Sequence, residues 1–264
     1  MKRKAGEGKV AVITGATSGI GLATAKLFLS NGFAVYGIAR KPYAGDDFVC
    51  YSADVCDYAA IDGILADICS KHGHIDVFVN NAGFGIAGAV EDCSIEQIER
   101  ITDVNFTAVC VLCGKVVPLM KEKGGRIINV SSVGGIMPLP YQAMYSATKS
   151  AVEVFSRALA NEVKPYNIKV TAVLPGDTRT GFTSARVVEG ENSAAQKSIQ
   201  KMSRDEQNGK SPESVAKVIL RAAVKRNPPL RMSVGFASKA EVFAARLVSA
   251  KLLNGILDKM YGGK

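Results

Sequence analysis

Imidazole is scarce in this chain: of 264 residues only His72 and His74 could ligate a metal through nitrogen, and both sit beside Gly73 in a helix-to-strand turn. A structural zinc site is not expected, and no metal is assigned. Internal repeats and low-complexity tracts are absent, which argues against a repeat architecture. No secretory signal is recognised, and the six cysteines at 50, 56, 69, 93, 110 and 113 are scattered. Free thiols in a reducing cytoplasm are the expectation. Cys110 and Cys113 form a Cys-x-x-Cys pair, but within an apolar helical stretch where they read as small buried hydrophobes. Basic charge lacks a focus as well. The net charge is +9, yet Lys and Arg are spread among acids apart from Lys2-Arg3-Lys4. Residues 1–8 are therefore expected to be a disordered basic tail, and nucleic acid is not expected as a partner.

What is present is an alternation of strand and helix patterns in a chain that is 47% hydrophobic, enough for one α/β domain over 9–264. Strands are predicted near 9–14, 33–39, 47–53, 75–80, 125–131, 168–174 and 231–235. The fold class that follows is a doubly wound, Rossmann-type parallel sheet of about seven strands with helices on both faces. Residues 181–210 break the pattern, being long, mostly polar and thinly supplied with apolar side chains. A segment of that kind reads as a substrate lid, closed by Ser211 as helix cap and Pro212 in the first turn. The stretch 239–261 reads as one amphipathic helix, packed on the domain or on a second subunit. Its apolar stripe with Arg246, Lys251 and Lys259 alongside also suits a membrane-surface helix, but membrane contact is not the expectation.

The run Lys9-Val10-Ala11-Val12-Ile13 leads at once into Thr14-Gly15-Ala16-Thr17-Ser18-Gly19-Ile20-Gly21, after which apolar residues recur at helical spacing. Glycines in such a strand-to-helix turn let the backbone approach a pyrophosphate, and the helix N-terminus offers free N–H groups. The commoner spacing of the dinucleotide fingerprint occurs elsewhere, at Gly83-Phe84-Gly85-Ile86-Ala87-Gly88, but no helix is predicted before about Ser94. That match is read as a decoy. At the end of the next strand stand Ala39 and Arg40, where a carboxylate would favour NAD. A guanidinium there suits a ribose 2′-phosphate, so NADP(H) is the expected cofactor.

Tyr145 and Lys149 lie one helical turn apart, which places a phenol beside an ammonium that favours its ionised form. The spacing alone is common in exposed helices. It gains meaning from Ser131 and Ser132, two hydroxyls at the carboxyl end of a predicted strand, where open α/β sheets bind their ligands. One of them could hold a carbonyl oxygen while the phenol protonates it.

With these residues in view, the chain resembles the short-chain dehydrogenases and reductases over roughly 8–235, most of all their hydroxysteroid dehydrogenase-like branch. The resemblance rests on Thr14 to Gly21, Asp54-Val55, Asn80-Asn81-Ala82-Gly83, Asn105, Ser132, Tyr145, Lys149, and Pro175-Gly176 with Thr180. It implies catalysis by Asn105, Ser132, Tyr145 and Lys149, with Lys149 lowering the Tyr145 pKa and Asn105 kinking its helix to hold a relay water. It implies cofactor contacts from Gly15, Ser18, Gly19, Ile20, Gly21, Arg40, Asp54, Val55, Asn81, Ala82, Gly83, Tyr145, Lys149, Pro175, Gly176, Thr178 and Thr180. Many NADP-dependent members carry a basic residue where this chain has Ser18, which would leave phosphate selectivity to Arg40, with Lys41 beside it. Ser132, Met137, Phe182 and Met202 are the candidate substrate contacts.

The function expected is reversible hydride transfer between NADP(H) and a carbonyl or secondary alcohol on a small lipophilic substrate of hydroxysteroid, retinoid or acyl type. Alternatives are an NADP(H)-sensing binding protein without turnover and a membrane-docked lipid carbonyl reductase. The resemblance also implies a homo-dimer or homo-tetramer.

Overall fold

A computed structural model describes residues 4–190 and 192–262. Seven strands form one parallel sheet: β1 Val10–Thr14, β2 Ala34–Ala39, β3 Val49–Ser52, β4 Val77–Asn80, β6 Gly125–Val130, β7 Ile168–Leu174 and β9 Arg231–Ser233. Their order is β3-β2-β1-β4-β6-β7-β9, so the chain reverses direction beside β1 and opens a crevice at the strand carboxyl ends. β1 and β4 are buried at every position, which is why they read as unbroken apolar runs rather than alternating ones.

Helices cover both faces. On one, α1 (Gly19–Ser30) sets Ala25 and Phe28 against Val215, Val218, Ile219 and Ala222 of α8 (Pro212–Val224). On the other, α2 (Tyr58–His72), α4 (Ala108–Met120) and α5 (Ala143–Glu162) bury Ile61, Leu65, Leu112, Val116, Val152 and Leu159 against the sheet. α3 (Ile95–Thr102) starts at a Ser94–Gln97 capping box and runs into α4 through a π-helical turn, Asp103–Thr107.

Three regions differ from the sequence expectation. Part of the basic tail, residues 1–3, lies outside the described residues. The rest of it is ordered: the Gly6 N–H donates to the Asn31 carbonyl at 2.9 Å, and Gly6 packs so close to Phe33 that a Cβ would run into the ring. The segment 181–210 is not an irregular loop. It holds a helical turn, α6 (Phe182–Ala185), a short strand, β8 (Val187–Val188), and a fifteen-residue helix, α7 (Ser193–Gln207). α7 is capped by Asn192 and buries Ala195, Ser198, Ile199 and Met202, a stripe at helical spacing made partly of small residues. β8 pairs with β5 (Ile86–Ala87), a second two-stranded ladder. The C-terminal stretch is two helices, α9 (Gly235–Ala244) and α10 (Ala250–Tyr261), separated at Ser249, which is extended and caps α10 through the Leu252 N–H. The break divides the apolar stripe: Val242 and Leu257 are buried, whereas Phe236, Phe243, Leu247 and Leu252 face outward.

A charged pair ties the edge strand to the catalytic layer. Glu153 of α5 is buried, and Arg231 of β9 donates to its Oε1 from Nε at 2.8 Å and again from Nη2. Removing one partner strands a buried charge. Arg231→Leu is expected to lower unfolding free energy by about 3 kcal/mol, read as a fall in the urea midpoint at unchanged slope; a loss below about 1 kcal/mol would show that the pair is not structural.

Candidate active site

The glycine turn between β1 and α1 is built for close approach. Gly15 and Gly19 have φ of 67° and 50°, in the left-handed region, and a Cβ at Gly21 would collide with the Gly15 carbonyl oxygen. Ser18 precedes the helix in extended conformation with no side-chain cap bond, so the first turn of α1 keeps its N–H groups for another acceptor. Thr14 fixes the neighbouring strand end: its Oγ1 accepts from the Asn81 and Ala82 N–H groups at 2.9 and 3.0 Å, while Asn81 Nδ2 donates to the Thr14 carbonyl at 2.9 Å. Thr180 reaches across from the other side, its Cβ standing 3.3 Å from where a Gly19 Cβ would be. Thr178 donates to the Gly176 carbonyl at 2.8 Å, and the Pro175 carbonyl accepts from the Val133 N–H at 2.9 Å. These residues line a cleft with features that suit a dinucleotide: no Cβ at Gly15, Gly19 and Gly21, and a floor of fixed backbone.

Further along the crevice, Asp54 accepts from the Cys56 N–H at 3.0 Å and pairs with Arg100 of α3 at 2.5 Å. Burial pushes its carboxyl up, but the Cys56 N–H, Arg100 and Arg40 together hold it below its ordinary value. Val55 beside it is buried. Arg100 was not legible as a site residue because it lies forty-six positions away. Arg40 is exposed at the end of β2, and no carboxylate replaces it there.

The reactive groups converge at the ends of β6 and α5. Lys149 is buried and donates to the Val130 carbonyl at 3.0 Å, and its Nζ lies 5.8 Å from the centroid of the Tyr145 ring. Ser131 Oγ donates to the Lys149 carbonyl at 2.7 Å. The Ser132 hydroxyl, which accepts from the Gly134 N–H at 3.0 Å, also bonds the Tyr145 phenol. Asn105, in the π-helical turn, grips Phe84: its Oδ1 accepts from the Phe84 N–H at 3.0 Å and its Nδ2 donates to the Phe84 carbonyl at 2.9 Å. A Cβ at Gly83 would stand 3.0 Å from Asn105 Oδ1 and 3.3 Å from Lys149 Nζ, so Ala82-Gly83 crosses directly above them.

The electrostatics correct one expectation. The Tyr145 pKa is not depressed. Burial raises it, to about 12, against the pull of the Ser132 hydrogen bond, with Glu206 raising and Arg186 lowering it further. Lys149 is itself pushed down to about 8 by burial. The Lys149 bond is given to Val130, and burial of the phenol outweighs the neighbouring ammonium.

Of the candidate substrate contacts, Phe182 is brought to the phenol, with ring centroids 5.5 Å apart. Met202 is instead consumed in packing, buried with Ala87, Ala195 and Ile199 under the lid helix and within 3.0 Å of Gln142 Nε2. Met137 packs on the cluster of Val133, Ala172, Leu174 and Val242. Gly85 and Gly88, the decoy glycines, have their own role. A Cβ at Gly85 would stand 2.9 Å from Phe182, and one at Gly88 2.7 Å from the Glu189 carbonyl oxygen, so both let the lid approach β5.

Residues 9–189 match the family described as short chain dehydrogenase. The chain belongs to that family. Among the short-chain dehydrogenase relatives is a 3-ketodihydrosphingosine reductase of Bacteroides thetaiotaomicron, 40% identical over 236 residues that cover 86% of this chain and 88% of the relative. A solved short-chain dehydrogenase from Streptomyces avermitilis superposes with a TM-score of 0.83 at 32% identity, covering 95% of this chain and 96% of that one. A 3-ketoacyl-(acyl-carrier-protein) reductase from Brucella melitensis, complexed with NADH, gives a TM-score of 0.75 at 30% identity over 86% of this chain and 97% of its own. Membership makes the chain an oxidoreductase that uses a nicotinamide cofactor and acts on a CH–OH/C=O pair.

The Lys149 shift carries a pH signature. Its folded pKa lies below the ordinary value of 10.5, so between about pH 8 and 10.5 the unfolded chain holds a proton that the folded chain has released. Stability therefore rises with pH across that window. Lys149→Met removes this contribution: its melting temperature relative to wild type is expected to be highest near pH 7 and to fall back by pH 10, and a pH-independent difference would contradict the buried-amine assignment.

Proposed function

We propose that the chain reduces the ketone of a long-chain lipophilic substrate of the 3-ketodihydrosphingosine type, with NADPH as reductant. The observation that carries the reading is the meeting of Tyr145, Ser132 and Lys149 at the mouth of the glycine-turn crevice, with the apolar lid ring Phe182 against the phenol. The 40% identical Bacteroides relative supports the substrate class.

A nicotinamide held in the crevice would supply hydride to the carbonyl carbon. The chain's own residues handle the oxygen. Ser132 holds it by hydrogen bonding, and the Tyr145 hydroxyl donates the proton that completes the alcohol. A phenol kept neutral through the physiological range is in the donating form that reduction requires. Lys149, beneath the ring and facing Ala82-Gly83, is placed to hold the nicotinamide ribose and to re-supply the proton. Asn105 acts as a positioning residue by fixing Phe84, and through it the turn after β4. Gly15, Ser18, Gly19, Ile20 and Gly21 hold the pyrophosphate side, Asp54 and Val55 the adenine side, and Pro175, Gly176, Thr178 and Thr180 the carboxamide side.

Preference for NADPH rests on Arg40, whose charge stands at the ribose end with Asp54 already engaged by Arg100. A sensor without turnover is the poorer reading, because a buried lysine and a desolvated phenol cost stability that mere nucleotide binding does not need.

Tyr145→Phe is expected to lower kcat for NADPH-dependent reduction of 3-ketodihydrosphingosine by about 10²- to 10⁴-fold while NADPH binding, followed by nicotinamide fluorescence, stays near wild type; a kcat within a few-fold of wild type would refute the proton-donor role. Arg40→Asp is expected to shift the ratio of NADPH to NADH dissociation constants toward NADH by about tenfold or more, the worth of a charge-assisted phosphate contact. An unchanged ratio would place the phosphate contact elsewhere.

A further inference from the structure

Arg186 follows α6 with its side chain only 1% exposed. Its Nη2 pairs with Oε1 of Glu206 on α7, and the other Glu206 oxygen, Oε2, accepts from Thr183 Oγ1. That leaves Nε and Nη1, both buried and without a hydrogen-bond partner among the described residues. A guanidinium has five N–H groups and no acceptor, and each buried donor left unpaired carries an uncompensated desolvation cost. Orphan donors of this kind ask for an oxygen that the chain does not supply.

Their place identifies whose oxygen it is. The guanidinium carbon lies 5.8 Å from the Phe182 ring centroid, and that ring is 5.5 Å from the Tyr145 ring. The Arg186 charge acts on both Tyr145 and Asp177, so the guanidinium stands near the phenol and near the turn after β7, with the Phe182 ring beside it. Gly85 packs against the same ring and stem: a Cβ there would stand 2.9 Å from Phe182 and 3.7 Å from the Arg186 Cγ.

The surrounding charge selects among oxygens. Glu206 pairs with Arg186, and Asp177 is raised to about 6 by loss of solvation and by Glu206, Asp205 and Glu241. A carboxylate or phosphate on the substrate would meet these acids at close quarters. A hydroxyl would not, and a cationic group beside it would be favoured.

We propose that Arg186 is a specificity-determining substrate contact, one of its two unpartnered donors, Nε or Nη1, donating to an uncharged hydroxyl carried a few atoms from the reacting ketone. This rests on the reductase reading above and deepens it. 3-Ketodihydrosphingosine has that chemistry, a long-chain ketone whose neighbouring carbons carry an amine and then a hydroxyl.

The test compares kcat/KM for 3-ketodihydrosphingosine and its 1-deoxy counterpart in wild type, Arg186→Lys and Arg186→Met, with melting temperature and NADPH binding recorded for each. Wild type is expected to favour the hydroxylated ketone by about 10- to 100-fold, since a site built for a hydroxyl penalises its absence. Arg186→Lys keeps a charge for Glu206 but places no donor at the Nε and Nη1 positions, so it should remain folded while the ratio falls toward one, chiefly through KM for the hydroxylated substrate. A purely structural arginine would be rescued by lysine with the ratio intact. No preference in wild type, or the same preference in Arg186→Lys, overturns the proposal. If wild type turns over neither long-chain ketone, the substrate reading fails separately, and the same ratio is read on a short hydroxy ketone and its deoxy partner: loss of preference in Arg186→Lys there supports the contact, and retention overturns it.

Discussion

Sinking an amine beneath the carboxyl edge of a parallel sheet is the constraint around which this molecule is arranged. Lys149 is held by the Val130 carbonyl, and its own carbonyl takes the Ser131 hydroxyl, so β6 and α5 are locked at one point from both directions. Gly135 lies so close that a Cβ would stand 2.8 Å from the Lys149 backbone. Once that turn of α5 is fixed, the phenol one turn earlier has little freedom, and Ser132 meets it from the adjoining strand end. The arrangement is costly, because burial opposes the lysine charge. Cost of that kind is expected where groups are held for chemistry rather than for folding.

The rest of the scaffold keeps the crevice in shape before any ligand arrives. Thr14 binds the ends of β1 and β4 together through Asn81 and Ala82. One layer below, Asn80 donates to Asn129 at 2.9 Å and Asn129 donates to Ser156 at 2.9 Å, with the buried Cys113 thiol, pushed up to about 12 by burial, alongside. These links cross between strands and onto α5, and each satisfies polar groups that the core would otherwise penalise. The crevice walls are therefore set by interior bonds rather than by the surface loops that form its lip.

Much of this was legible from the chain. Strands buried on both faces announce themselves as short apolar runs, and the turn at Gly15, Gly19 and Gly21 had to be glycine for steric reasons. Tyr145, Lys149 and Ser132 were found from period and strand-end placement, and geometry brings them together. α7 escaped because its buried stripe, Ala195, Ser198, Ile199 and Met202, is half small or polar and so carries little periodic signal. The break at Ser249 was hidden by apolar residues on both sides of it. The Tyr145 pKa departs from expectation for a different reason: burial of the phenol outweighs the neighbouring cation, and burial is a tertiary property. Arg186 and Arg100 gave no sign at all, since what distinguishes them is the company they keep across the fold.

The lid is fastened to the body by very little backbone. β5 and β8 share two residue pairs, and the bonds beside them run from the Val187 N–H to the Gly85 carbonyl and from the Glu189 N–H to the Ala87 carbonyl, each 3.0 Å. A clasp that small unzips long before the seven-strand sheet is strained. Opening of residues 181–210 can thus proceed as a local fluctuation that leaves the sheet, and the phenol at its carboxyl edge, undisturbed.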